Sequence, residues 1–171
     1  MLKLRRARFK NFRLLRDIEL SFSTDDQKRL TVICAENESG KTTMLTALQW
    51  AFFGDAALDE APGRPVRLYP IDWDAISEPR VPVSVEVEFD YSSETILKDS
   101  SSVRSDETFL LQRSCTEHPG EVGAGTRTNK SLVLYRLGAK GDEPVANPSV
   151  ELEDKFRVHS RGRLSWALES G

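Results

Sequence analysis

The chain has 171 residues, of which 39% are hydrophobic and 30% charged, the make-up of one folded domain rather than of a disordered or fibrous chain. Its net charge of −3 excludes a wholly basic protein of the histone kind, and no apolar run reaches the roughly 20 residues that a membrane helix needs. The two cysteines, Cys34 and Cys115, are far apart and form no CxxC, so neither a disulfide scaffold nor a zinc site is indicated and a reducing cytoplasm is expected.

Charge is unevenly placed. Residues 1–16 hold Lys3, Arg5, Arg6, Arg8, Lys10, Arg13 and Arg16 without an acid, leaving an acidic remainder. The segment is poor in Ser and lacks the apolar stretch of a secretory signal, so it reads as part of the mature fold. On a strand, alternation divides these residues, with Lys3 and Arg5 on one face and Arg6, Arg8 and Lys10 on the other. Such a stripe is a candidate DNA-phosphate surface, which the acidic remainder disfavours for tight binding.

Three strand-length segments open the chain, at residues 2–9, 18–22 and 30–34. The third, Leu30-Thr31-Val32-Ile33-Cys34, is almost continuously apolar and predicts a central strand covered on both faces, in which Cys34 is simply a small buried residue. After a turn at 35–40, Met44, Leu45, Ala47, Leu48, Ala51 and Phe52 recur at helical spacing, with Trp50 and Phe53 extending the apolar surface, so a buried helix is predicted. Gly54 stands where a residue able to take positive φ closes a helix. Residues 55–80, with four prolines and scattered acids, predict an irregular surface insertion whose acids form a solvated face. Val81, Val83, Val85, Val87 and Phe89 then alternate with polar residues, the clearest strand pattern in the chain. Two further strands are expected at 108–113 and 132–137, preceded by a Ser-rich connection at 92–105 and separated by a loop running from Glu117 to Gly125. The tail from residue 139 has a short amphipathic reading around Val150, Leu152 and Phe156 and is otherwise unassigned. The expected domain is thus an α/β one: P-loop core elements at 1–54, the insertion at 55–80 and a β-rich antiparallel portion at 81–138. His118 and His159 have no ligand-spaced partners and are expected to be ordinary loop histidines.

One stretch carries chemistry. Ala35-Glu36-Asn37-Glu38-Ser39-Gly40-Lys41-Thr42-Thr43 follows a predicted strand and opens a predicted helix, the context a P-loop requires. Backbone N–H groups at a helix N-terminus, together with the macrodipole, hold polyphosphate without many cationic side chains. In this reading the amides of Glu38, Ser39, Gly40, Lys41, Thr42 and Thr43 form the cradle. Gly40 admits the phosphates closely, Lys41 places its ammonium on the β/γ-phosphates of ATP, and Thr42 ligates Mg²⁺. Ala35 departs from the usual first Gly, at a cost on the order of 1 kcal/mol if positive φ is needed there. The bland alternative is a Gly-Lys helix start that holds no nucleotide.

Leu4 with Lys10-Asn11-Phe12-Arg13, the following Ile18-Glu19-Leu20-Ser21-Phe22, the N-x-S-G-K-T loop and the helix end Ala47-Leu48-Gln49-Trp50-Ala51-Phe52-Phe53-Gly54 together resemble the N-terminal lobe of SMC/RecF/SbcC-type ABC ATPase heads. Within that group the chain looks most like the DndD-like ATPases of bacterial DNA sulfur modification and restriction. The resemblance is strong over residues 1–54 and rests on strand order alone to about residue 155. It implies a P-loop NTPase fold with a mixed sheet, ATP and Mg²⁺ as ligands, Arg13 as a second cation on the phosphates, and Asn37 as a residue that orders the loop. Glu38 stands where many members carry Gly or Ala, so its carboxylate is expected to point away from the phosphates.

Such a head also needs a Q-loop, a signature segment and a Walker B strand ending in Asp-Glu. Asp142-Glu143 follows Lys140-Gly141 and is no such strand, and Gln112 falls inside an expected strand. The chain therefore reads as an N-terminal lobe whose partners are a C-terminal lobe and a second head, with DNA engaged through the full assembly, and which does not turn over ATP alone. A self-contained P-loop kinase and a non-enzymatic module with a degenerate P-loop stay open as alternatives.

Overall fold

The computed structural model describes residues 1–25, 27, 30–34, 36–58, 66–74, 77–96, 102–119 and 126–156. Its frame is a six-stranded sheet in the order β2-β1-β3-β4-β5-β6, formed by β1 (Leu2–Phe12), β2 (Leu15–Ser21), β3 (Val81–Ile96), β4 (Ser102–His118), β5 (Thr126–Leu137) and β6 (Glu143–Pro144). Every neighbouring pair is antiparallel. Helix α1 (Lys41–Phe53) packs across β1, β3 and β4, and the short α2 (Pro148–Asp154) lies against β5.

Period-two patterning makes the two faces different. Val81, Val83, Val85, Val87 and Phe89 of β3 meet Ala7 and Phe9 of β1 and Phe109 and Leu111 of β4 in a core closed to solvent. Trp50 and Phe52 of α1 complete it, 5.6 Å from Phe12 and Phe89 respectively, and Phe156 closes the far end, edge-on to Phe89, Tyr91 and Phe109. The opposite face is wet and carries charge ladders.

The strongest patterns hold, and several expectations need correction. The alternating segment is the centre of β3, and the helix ends where expected, at Gly54 with φ 66°. The Ser-rich stretch 92–105, expected as a connection, instead largely continues β3 and starts β4, which pair as a ribbon from Ser92↔Asp106 to Ile96↔Ser102. Glu117 and His118, expected in a loop, are the last residues of β4. His118 Nε2 lies 2.9 Å from Thr128 Oγ1. Gln112, central in β4, donates to Glu86.

The largest correction concerns residues 30–34. They form no strand among the described residues, and Leu30, Val32 and Ile33 are 78%, 66% and 41% exposed. The physical reason is that an apolar run becomes a central strand only with a hydrogen-bonding neighbour and two covering faces. Here β2, the outer strand of the sheet, pairs with β1. Cys34 is exposed with the rest of the segment, not buried. Helix α1 is likewise covered on one side: Ala47, Trp50, Ala51 and Phe52 are buried, whereas Leu45 is 50% exposed.

The basic stripe is also redistributed. A bulge between Leu4 and Arg6 takes the alternation out of step, so Arg5 and Arg6 both reach Glu88, at 3.1 and 3.4 Å. Arg5 further meets Asp90, Arg6 meets Glu19 and Arg8 pairs with Asp17. The stripe is therefore largely neutralised by acids of β2 and β3. The acids of the 55–80 segment are not simply solvated either, since Asp72 pairs with Arg16 at 2.6 Å and Asp55 is engaged by Lys130, Arg127 and Trp50.

Candidate functional site

Residues 36–43 form a tight turn that runs into α1. Glu38 has φ 65° and Gly40 φ 99°, so two left-handed residues in three fold the chain back before the helix begins. Gly40 tolerates this freely, whereas Glu38 stores strain of order 1 kcal/mol, a cost that concentrates at functional loops. Ser39 closes the turn by donating to the Glu36 carbonyl at 2.6 Å, and Lys41 Nζ donates to the same oxygen at 2.5 Å. Gly40 is buried, with Leu15 Cδ2 3.4 Å and Leu14 Cβ 3.8 Å from where a Cβ would stand. The β1–β2 turn thus roofs the loop.

The donors a phosphate needs are present. No side chain caps the helix, and there is no acid in its first turn. The first turn's amides have no carbonyl one turn back, as at any helix start, while Met44 N already donates to Gly40 O. Asn37, Glu38, Ser39, Lys41 and Thr42 are exposed and Thr43 is half-buried, so the loop on either side of the buried Gly40 is open to a ligand. Thr42 offers its hydroxyl, while its carbonyl accepts from Thr46. A triphosphate with its cation fits this donor set. Ala35 lies outside the described residues; among those described, the left-handed residues of the turn are Glu38 and Gly40.

Seven of the eight expected site residues are contiguous here. Arg13 stands apart from them, in the β1–β2 turn with φ 52°. Among the described residues its guanidinium meets the Arg67 carbonyl, Nε donating at 3.2 Å, and the Phe12 ring at 5.9 Å. Burial depresses its pKa, and the charges of Arg127 and Arg67 add to the effect, with Glu117 opposing them. Arg13, Arg67 and Arg127 therefore gather around one buried carboxylate.

That carboxylate was not legible as functional. Glu117, fully buried, accepts the amides of Leu68 and Tyr69 on Oε2 at 2.9 and 3.0 Å, and its Oε1 lies 3.8 Å from Arg127 Nε. Burial raises its pKa, with the two amides and Arg127 pulling the other way. In the structure Phe109, Leu111, Arg113, Cys115 and Glu117 share one phase of β4, which puts two charged residues on the core face; the strand expected from the sequence ends at residue 113, so its phase does not carry to Glu117. Arg113 sits there, donating to the α1 carbonyls of Ala51 and Phe52. Among the described residues there is no metal-binding group of His, Cys, Asp and Glu, and no helix is long and apolar enough to cross a membrane.

Compared with known proteins, residues 6–126 match the AAA domain family AAA_23, more than two thirds of the chain. A search of curated proteins gives no match.

Proposed function

The chain belongs to the AAA domain family, as an ATPase domain of the SMC/RecF/SbcC-like type, and from that premise we propose that it is the ATP-binding N-terminal lobe of a DNA-associated ATPase. The roles we have in mind are DNA repair or, along the DndD-like resemblance, DNA sulfur modification and restriction in the cytoplasm. The observation that carries the reading is the left-handed Gly40 opening α1 with Lys41 next to it, in a loop whose neighbouring residues 37–39, 41 and 42 are exposed.

In this reading the amides of Glu38 to Thr43 would hold the phosphate oxygens, and Lys41, whose ammonium donates to the Glu36 carbonyl, would meet the β/γ-phosphates. Thr42 would hold Mg²⁺ through its hydroxyl, Asn37 would order the turn, and Arg13 would serve as a second cation. Bound Mg-ATP supplies the charge that draws these donors together. Leu14, which lies over Gly40, Leu30, Val32 and Ile33 of the segment before the loop, and Leu45 of α1 are all exposed, and we read them as positions for a C-terminal lobe to cover. That lobe and a second head would supply the water-activating carboxylate and signature contacts. A small-molecule kinase has less support, because the strands after α1 pair antiparallel instead of forming parallel βαβ units.

Calorimetry with Mg-ATP tests this directly. The parent chain is expected to bind, and Lys41→Ala to weaken binding at least about tenfold. Turnover is expected well below about 1 s⁻¹. No heat with the parent would sink the nucleotide reading, and turnover at or above that rate would sink the need for a second lobe.

A further inference from the structure

Residues 66–70 run between the β1–β2 turn and the ends of β4 and β5, and each side grips their backbone. On one side Arg13 N donates to Leu68 O at 2.5 Å and Arg13 Nε to Arg67 O at 3.2 Å. On the other, the amides of Leu68 and Tyr69 converge on a single oxygen, Glu117 Oε2, and Arg127 donates to Val66 O. Leu68, Tyr69 and Pro70 are buried. The peptide groups of 67–69 therefore transmit position: the Glu117 carboxylate fixes their amides, and their carbonyls fix Arg13.

Arg13 in turn fixes the loop. Its φ of 52° is unfavourable for a residue with a Cβ and persists because neighbouring bonds hold it. The next two residues, Leu14 and Leu15, are those that lie over Gly40. A strap displaced from Glu117 would release Arg13 N, let the turn relax from its left-handed conformation, and lift the two leucines off the glycine.

We propose that Glu117 is a positioning residue for the phosphate-binding loop, acting through the 66–69 strap to set Arg13 and the Leu14–Leu15 roof over Gly40. This rests on the reading that the loop binds Mg-ATP and that Arg13 serves its phosphates. The essential feature is the reach of the carboxylate to two amides, since both fall on one oxygen, which a glutamine also possesses.

Two substitutions separate reach from charge. Glu117→Gln keeps an oxygen for both amides and loses the charge toward Arg127, whereas Glu117→Asp keeps the charge and withdraws it by one methylene. Hydrogen exchange without nucleotide reads the coupling itself. Glu117→Asp is expected to speed exchange at the amides of Arg13, Ser39 and Met44, which donate to Leu68 O, Glu36 O and Gly40 O, leaving Val85 of β3 unchanged, with Glu117→Gln close to the parent. Calorimetry reads the consequence: about tenfold weaker Mg-ATP binding for Glu117→Asp, within about threefold of the parent for Glu117→Gln, and a smaller loss from Glu117→Asp in the Arg13→Ala background than in the parent, because that background keeps only the backbone route to the roof. Faster exchange confined to Leu68 and Tyr69 would overturn the proposal whatever the nucleotide does, as would a glutamine variant worse than the aspartate. If the parent binds no Mg-ATP yet the exchange pattern appears, the nucleotide reading fails while the coupling stands.

Discussion

The indole N–H of Trp50 donates to the Asp55 carboxylate at 3.0 Å, tying the last turn of α1 to the residue just beyond its end. Burial opposes ionisation of Asp55, but hydrogen bonds from Lys130 and Trp50 and the charges of Arg127 and Lys130 outweigh it and hold its pKa below the ordinary 3.8. The unfolded chain thus takes up this proton first as acid is added. The stability Asp55 confers is complete above that ordinary value and is lost as pH falls through the lower, folded one. The melting temperature of the parent should therefore drop more steeply below about pH 4 than that of Asp55→Asn, with a Trp50 fluorescence change that the variant lacks. Parallel acid profiles would refute the assignment.

Gly54 combines a left-handed φ of 66° with a crowded site, where an added Cβ would stand 3.0 Å from Arg113 Nη1. Gly54→Ala should therefore strain the backbone and push the guanidinium off the α1 carbonyls. We expect about 1–3 kcal/mol of destabilisation in urea unfolding, with little change in the slope. A loss under about 0.5 kcal/mol would show that the helix end relaxes freely.

The two thiols should react at very different rates. Burial, and secondarily the charge of Glu117, pushes the Cys115 thiol from 9.0 up to about 11, while Cys34 is exposed. At pH 8 a rise from 9.0 to about 11 cuts the Cys115 thiolate fraction about a hundredfold, before hindered access is counted. Titration with a disulfide reagent should show one fast thiol, which Cys34→Ser removes. Because Cys34 adjoins the loop, Mg-ATP should slow that fast phase, and equal rates with and without nucleotide would argue against binding there.

Arg5, Arg6 and Arg8 are engaged by Glu88, Asp90, Glu19 and Asp17. Phosphates would have to displace these carboxylates, so Arg6→Ala combined with Arg8→Ala should leave the anisotropy of a labelled DNA duplex with this chain unchanged at 0.15 M salt. A salt-sensitive loss of affinity in that variant would restore the stripe as a DNA surface.

How much of this was legible depended on whether the signal was local. The valines of β3 announce a half-buried strand by alternation, and the turn before Lys41 announces a helix start by chemistry, because both patterns are complete within a few residues. Leu30 to Cys34 misled because strand formation is a property of pairs, and the sequence of one segment does not say whether a neighbour exists. Arg5 was assigned to the wrong face because a bulge one residue long reverses the phase of what precedes it. Glu117 falls past the expected end of its strand, and its partners are amides of a segment 49 and 48 residues away, donors that leave no trace in composition.

The β3–β4 ribbon runs beyond the rest of the sheet. β1 is in register with β3 as far as Tyr91, and β5 with β4 only from Thr108. Past Ser92, which Met1 still steadies, the two strands pair only with each other among the described residues, and an isolated pair of strands is marginal in water. This arm is where the molecule should fray first and where a protease should nick it without unfolding the rest, so a clipped species that keeps its melting temperature is the expected product of gentle digestion.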